Sequence, residues 1–227
     1  MGRWAWISVL SLGCCLSGGC GGGSSDTTQQ IRVVMASPDA PPVDILIDGS
    51  EVATSIAFTN STAYLPVKTG NRQVAGETVR NSTTVFQQSV AVAASANQTL
   101  VVTGPAAKTQ TVVLSDGNTT STTVATGDGS VRLVNASTRM GPADVYIVNA
   151  GTGIAGAKPV ATNVDVAQSI AYQLTAIGNY EIFLTAPGTT NVFLDTGPLA
   201  LTQGQYQTVV AVDESGGGFN YLVLTDQ

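Results

Sequence analysis

At 227 residues the chain has room for one or two domains. Only 11% of its residues are charged, and 9 Lys and Arg against 15 Asp and Glu leave a net −6, so the clustered cations that a nucleic-acid surface requires are missing. There is no histidine, and the cysteines are Cys14, Cys15 and Cys20, which excludes a disulfide, a Cys/His zinc site and a histidine base from everything that follows them.

The N-terminus reads as an address. Arg3 supplies one positive charge, and an apolar run over 4–16 follows, too short for a comfortable membrane span. Leu16-Ser17-Gly18-Gly19-Cys20 then leads into a Gly/Ser stretch, which resembles a bacterial lipobox with Cys20 as the acylated residue. That resemblance implies a leader over 1–19, cleavage before Cys20 and a flexible tether over 20–30. It also implies a membrane partner reached through lipid, in the outer membrane if the cell is Gram-negative. Cys15, with Leu12 three residues before it, is the alternative acceptor, and an ordinary secretory leader on a secreted protein is the other reading.

From residue 31 the chain breaks into short apolar segments cut by turn residues at roughly ten-residue spacing, and no window shows a helical period. Strands are expected over 31–37, 43–48, 51–57, 63–67, 72–79, 83–93, 98–104 and 110–116. Ser37-Pro38-Asp39-Ala40-Pro41-Pro42 must be a loop, because three prolines remove three ladder donors. Asp48-Gly49 signals a tight hairpin. Apolar residues alternating with Thr and Gln predict antiparallel sheets buried on one side, and the economical arrangement is a two-layer, immunoglobulin-like β-sandwich over 31–117.

A turn-rich linker is expected over 118–129, after which the chain repeats itself over 130–227. Arg32, Val34, Ala36, Ser37, Pro42, Asp44 and Ile47 recur as Arg132, Val134, Ala136, Ser137, Pro142, Asp144 and Ile147. Ser61 and Tyr64 recur as Ser169 and Tyr172, so the offset grows from 100 to 108 residues, and the added segment falls within 150–158. Gly70-Asn71, Val85-Phe86, Gln98-Thr99 and Asp116 return as Gly178-Asn179, Val192-Phe193, Gln207-Thr208 and Asp226. The fold expected is therefore all-β, with two tandem antiparallel sandwiches.

The pattern R-V-V-x-A-S-P-D-A-P-x-V-D-x-x-x-D-G, followed by a Tyr-bearing strand, resembles the bacterial domain of unknown function 4397, in two copies spanning 31–227. The resemblance implies a secreted or surface-attached β-sandwich and brings no activity with it. Family members usually carry His where this chain has Met35 and Asn135, and the second copy replaces Pro38-Asp39-Ala40 by Thr138-Arg139-Met140.

Candidate chemistry is sparse. Asp44 and Asp48 share a strand face but lie about 13 Å apart, whereas glycosidase carboxyl pairs need roughly 5 to 9.5 Å. Asp44 and its repeat Asp144 are expected to bond the backbone of the Pro loop. Asp39, Asp44, Asp116, Asp128, Asp213 and Glu214 are the carboxylates that could gather around calcium, though no EF-hand spacing is present. Tyr64 and Tyr172 are expected to pack against a sheet with their hydroxyls on backbone. The contact loop is expected to comprise Ser37, Pro38, Asp39 and Asp44, with Ser137 and Asp144 in the second copy. No cofactor, catalytic residue or metal ligand is assigned. The functional expectation is a non-enzymatic, lipid-anchored envelope protein with a structural or binding role, the alternative being a module that contacts a glycan, peptide or protein ligand.

Overall fold

The computed structural model of the protein describes residues 27–117 and 127–227; the leader, Cys20, most of the tether and most of the linker expected from the sequence lie outside the described residues. The first half holds β1 (Thr28–Met35), β2 (Val43–Ile47), β3 (Ser50–Ile56), β4 (Leu65–Lys68), β5 (Gly70–Thr78), β6 (Thr84–Val92), β7 (Gln98–Thr103) and β8 (Gln110–Ser115). The second holds β9 (Asp128–Asn135), β10 (Ala143–Asn149), β11 (Ala161–Val164), β12 (Gln168–Ser169), β13 (Gln173–Ala176), β14 (Gly178–Thr185), β15 (Val192–Asp195), β16 (Leu199–Leu201), β17 (Tyr206–Asp213) and β18 (Phe219–Asp226). β1 thus opens inside the stretch expected as tether, its first residues pairing with β4, and β9 opens inside the expected linker.

Each half is a sandwich of two sheets with matching strand order. In the first half β3-β2-β5-β6 faces β4-β1-β7-β8; in the second β11-β10-β14-β15 faces a sheet in which β12 and β13 both edge β9, followed by β17 and β18. The ladders are antiparallel except β1–β7 and β9–β17, which run parallel and join the opening strand of each half to a strand near its end. Strand alternation builds each core. Ile31, Val33 and Met35 meet Val43, Ile45, Val74, Phe86, Leu100 and Val102 in the first half; Val131 and Leu133 meet Val145, Tyr180, Ile182, Leu184 and Val209 in the second.

The opposite faces of the same strands are buried too, which differs from the one-sided burial expected. Val34, Ala36, Val101 and Leu114 pack on Val134, Ala136, Val210 and Leu224, so the two inner sheets close against each other through a third apolar cluster. Every residue of β7 is buried as a result. The apolar runs Val33–Met35 of β1, Leu100–Val102 of β7 and Val209–Val212 of β17 suit strands covered on both faces.

The repeat departs from itself where function could diverge. Asp48 and Gly49, both at positive φ, close β2 tightly onto β3, while residues 150–160 separate β10 from β11. The continuous β6 corresponds to β15 and β16, interrupted at 196–198.

Candidate functional site

The strongest concentration of ionisable groups lies where the two inner sheets meet. Arg32 leaves β1 toward the other half, its guanidinium carbon 4.6 Å from the centroid of the Tyr64 ring. It donates to Thr99 Oγ1 at 2.9 Å, to the Thr225 carbonyl at 3.0 Å and to Asp226 Oδ1 at 2.5 Å. Arg132, one repeat later on β9, lies 4.4 Å from the Tyr172 ring centroid and donates to Thr208 Oγ1, to the Ser115 carbonyl and, at 2.5 Å, to Asp116 Oδ1. Each carboxylate is held by its own half as well. Asp116 accepts from Tyr64 at 2.7 Å and Thr99 at 2.6 Å; Asp226 accepts from Tyr172 at 2.6 Å and Thr208 at 2.5 Å.

Both ion pairs are shielded from water, with side-chain exposure of 6% or less for all four partners. Burial pushes Asp116 above the ordinary aspartate range, aided by the charge of Asp226 and opposed by the bonds from Thr99 and Tyr64 and by the Arg132 charge. Burial also drives Tyr64 and Tyr172 far above the usual phenol value, so both remain donors. The tyrosine hydroxyls therefore reach carboxylates, not backbone as the sequence suggested. Charge-assisted hydrogen bonds between mutually satisfied groups lock a geometry, and the cluster leaves no surface on which a substrate could sit.

The polar loop residues singled out from sequence are each committed to partners within their own half. Ser37 is buried and donates to the Gly104 carbonyl at 2.6 Å, while Asp39 accepts from the Ala106 amide at 2.8 Å. Ser137 donates to Asp213 Oδ1 at 2.5 Å, and Asp213 also receives the Thr138 hydroxyl and the Thr138 and Arg139 amides. Asp44 and Asp144 do not bond the Pro loop. They accept, each at 2.8 Å, from Ser55 and Asn163, residues at positive φ on the neighbouring strand, and so brace the irregular register of the β2–β3 and β10–β11 ladders. Asp48 accepts from Gln73 and Arg72, which commits it to its hairpin. Met35 lies in the first core, and Asn135 bonds the Gly141 and Val164 carbonyls. Among the described residues no group of three or more carboxylates is placed to hold a metal.

Two of the surface clefts adjoin these loops. One, of about 670 Å³, is lined by Pro41, Pro42, Ser55, Thr78, Val79 and Arg80, with Asn81 at the same turn. A second, of about 260 Å³, brings Pro38, Asp39 and Pro105 of the first half beside Thr138, Arg139 and Asp213 of the second, so the two repeated loops meet at one end of the joint.

The family described as "Domain of unknown function (DUF4397)" matches residues 29–146 and 129–227. The chain belongs to the DUF4397 family. No curated protein matches the sequence. Among solved structures, this DUF4397 chain is similar to the crystal structure of CBMbc, of family CBM26, from Eubacterium rectale Amy13K in complex with maltoheptaose. The identity is 10%, coverage is 86% of this chain and 96% of that one, and the TM-score is 0.29. It is also similar to the Bacillus anthracis TIE protein, at 11% identity and TM-score 0.26, covering 88% of this chain and 44% of that one; the chain thus spans under half the length of that relative. At these TM-scores neither likeness bears on what the DUF4397 chain binds.

Proposed function

We propose that this DUF4397 protein is a non-catalytic envelope component, held at the membrane by lipid on Cys20, whose two sandwiches act as one rigid structural or binding unit. The observation that supports this reading is the closed joint. Arg32, Asp116, Arg132 and Asp226 satisfy one another beside Tyr64 and Tyr172, so these buried charges hold architecture instead of facing a substrate. Dual acylation gives stable anchoring where a single chain does not. Metabolic labelling with a clickable fatty acid should tag the protein and fail on Cys20→Ala. Label that persists on that variant would remove Cys20 as the anchor.

The 670 Å³ cleft favours a second reading, a contact module for glycan or peptide, because proline and valine walls with Arg80 and Asn81 at the turn combine apolar surface with polar groups. Glycan and peptide arrays probed with the wild-type protein and with Arg80→Ala decide it: a hit lost in the variant supports the cleft, and silent arrays leave the structural role.

A further inference from the structure

The contacts across the joint are reciprocal. Arg32 meets Asp226 and Arg132 meets Asp116; Arg32 also bonds the Thr225 carbonyl, and Arg132 the Ser115 carbonyl. The apolar partners are identical in type as well: Val34 and Val134, Ala36 and Ala136, Val101 and Val210, Leu114 and Leu224. Such reciprocity is the mark of an isologous interface, in which the same patch serves on both sides. Because the first half carries both Arg32 and Asp116, its face is complementary to itself, and the second half, with Arg132 and Asp226, is likewise.

We propose that the joint face of each half is a homotypic docking surface whose alternative occupant is the same face on a second copy of this chain. In the single chain the linker holds the two faces together at an effective concentration of about millimolar, so the intramolecular joint dominates. When that pairing is disfavoured, first half docks on first half and second on second, with Arg32 of one copy meeting Asp116 of the other. The symmetry is not complete, and Thr103 supplies one departure from it. Thr103 donates to the Ala136 carbonyl, whereas the equivalent position in β17 is Val212, which has no hydroxyl. A pair of first halves would form that bond twice and a pair of second halves not at all.

Charge reversal separates the two arrangements. In Arg32→Asp with Asp116→Arg, like charges face each other inside one chain, while two first halves still match. In Arg32→Asp with Asp226→Arg, the intrachain pairing is kept and the homotypic one is broken. The experiment is sedimentation velocity of the full chain in detergent, with circular dichroism to establish folding. The expected result is a doubled protein mass for the first double variant and wild-type mass for the second. A folded first variant at wild-type mass overturns the proposal.

Should the first variant not fold, wild-type chains decide instead. Unlabelled and isotope-labelled chains are unfolded together in urea, refolded at high concentration, weighed by native mass spectrometry and cross-linked. Mixed-mass dimers whose light–heavy cross-links join first half to first half support the homotypic surface; dimers cross-linked first half to second half, or monomers alone after refolding above the millimolar effective concentration of the joint, overturn it.

Discussion

Arg32 and Asp226, separated by almost the whole described chain, lie 2.5 Å apart with side-chain exposures of 6% and 0%, and Asp226 has the Arg132 guanidinium 3.7 Å away on its other oxygen. Removing one member of such a pair leaves a charge in an apolar joint, whereas removing both replaces it by packing. Arg32→Met is therefore expected to cost about 3–5 kcal/mol, and Arg32→Met with Asp226→Leu is expected to recover most of that loss. Urea unfolding of the four members of the cycle gives the coupling energy. Additive losses would mean that the two side chains act independently.

The hydroxyl of Thr185 supplies a simpler test. The residue is fully buried at the end of β14, and its Oγ1 has no hydrogen-bond partner. Its counterpart by register in the first half is Glu77: Asp44 lies opposite Glu77, and Asp144 opposite Thr185. Valine keeps the shape and the branched, strand-favouring Cβ while removing the unpaired oxygen. Thr185→Val is expected to raise stability by about 1 kcal/mol, seen as a higher urea midpoint with unchanged slope. A lower midpoint would point to a partner for the hydroxyl in solution.

The fold was legible because its signals are local: alternation, the prolines of 37–42 and Asp48-Gly49 are each read within a few residues. The joint was visible only as coincidence. Arg32, Tyr64, Thr99 and Asp116 recur in register as Arg132, Tyr172, Thr208 and Asp226, yet each looked like an isolated polar residue, because what unites them is the parallel β1–β7 and β9–β17 pairing and the face-to-face docking of two sheets. Periodicity within a strand does not encode which distant sheet covers its second face. The role of Asp44 is hidden for a related reason: the positive φ of Ser55, which exposes the amide it accepts from, has no signature in a serine.

Gln98 and Gln207 occupy the same place in the two halves, and each donates its Nε2 to a carbonyl, of Ala91 and Ala200 respectively. Their acceptor oxygens differ. Gln207 Oε1 takes the Tyr180 hydroxyl at 2.6 Å, whereas Gln98 Oε1 is buried without a partner, the equivalent of Tyr180 on β5 being Arg72. Tyr180→Phe should reproduce in the second half the orphaned oxygen of the first, costing about 1–3 kcal/mol. Gln207→Leu in the same background should lessen the loss, because it removes the stranded acceptor. Equal stabilities for Tyr180→Phe and wild type would show that water reaches Gln207.

Acidification should loosen the loop end of the second half. Burial alone would raise Asp213, but the Ser137 and Thr138 hydroxyls, the Arg139 amide and the Arg139 charge outweigh it and hold the carboxyl below its ordinary value of 3.8. A carboxylate lowered by folding contributes stability that is complete above 3.8 and is lost as pH falls through 3.8 toward the folded value. Asp116, raised by burial, has the opposite sign: its contribution weakens as pH climbs from 3.8 toward its higher folded value. The two are separable by substitution, because Asn at 213 keeps one acceptor oxygen but carries no titrating proton. Stability measured by urea unfolding across the acidic range should therefore fall less steeply below 3.8 in Asp213→Asn than in wild type, with the behaviour just above 3.8 unchanged. If both proteins lose stability in parallel below 3.8, the Ser137–Arg139 loop is not held by an ionised Asp213, and the acid sensitivity belongs to other carboxylates.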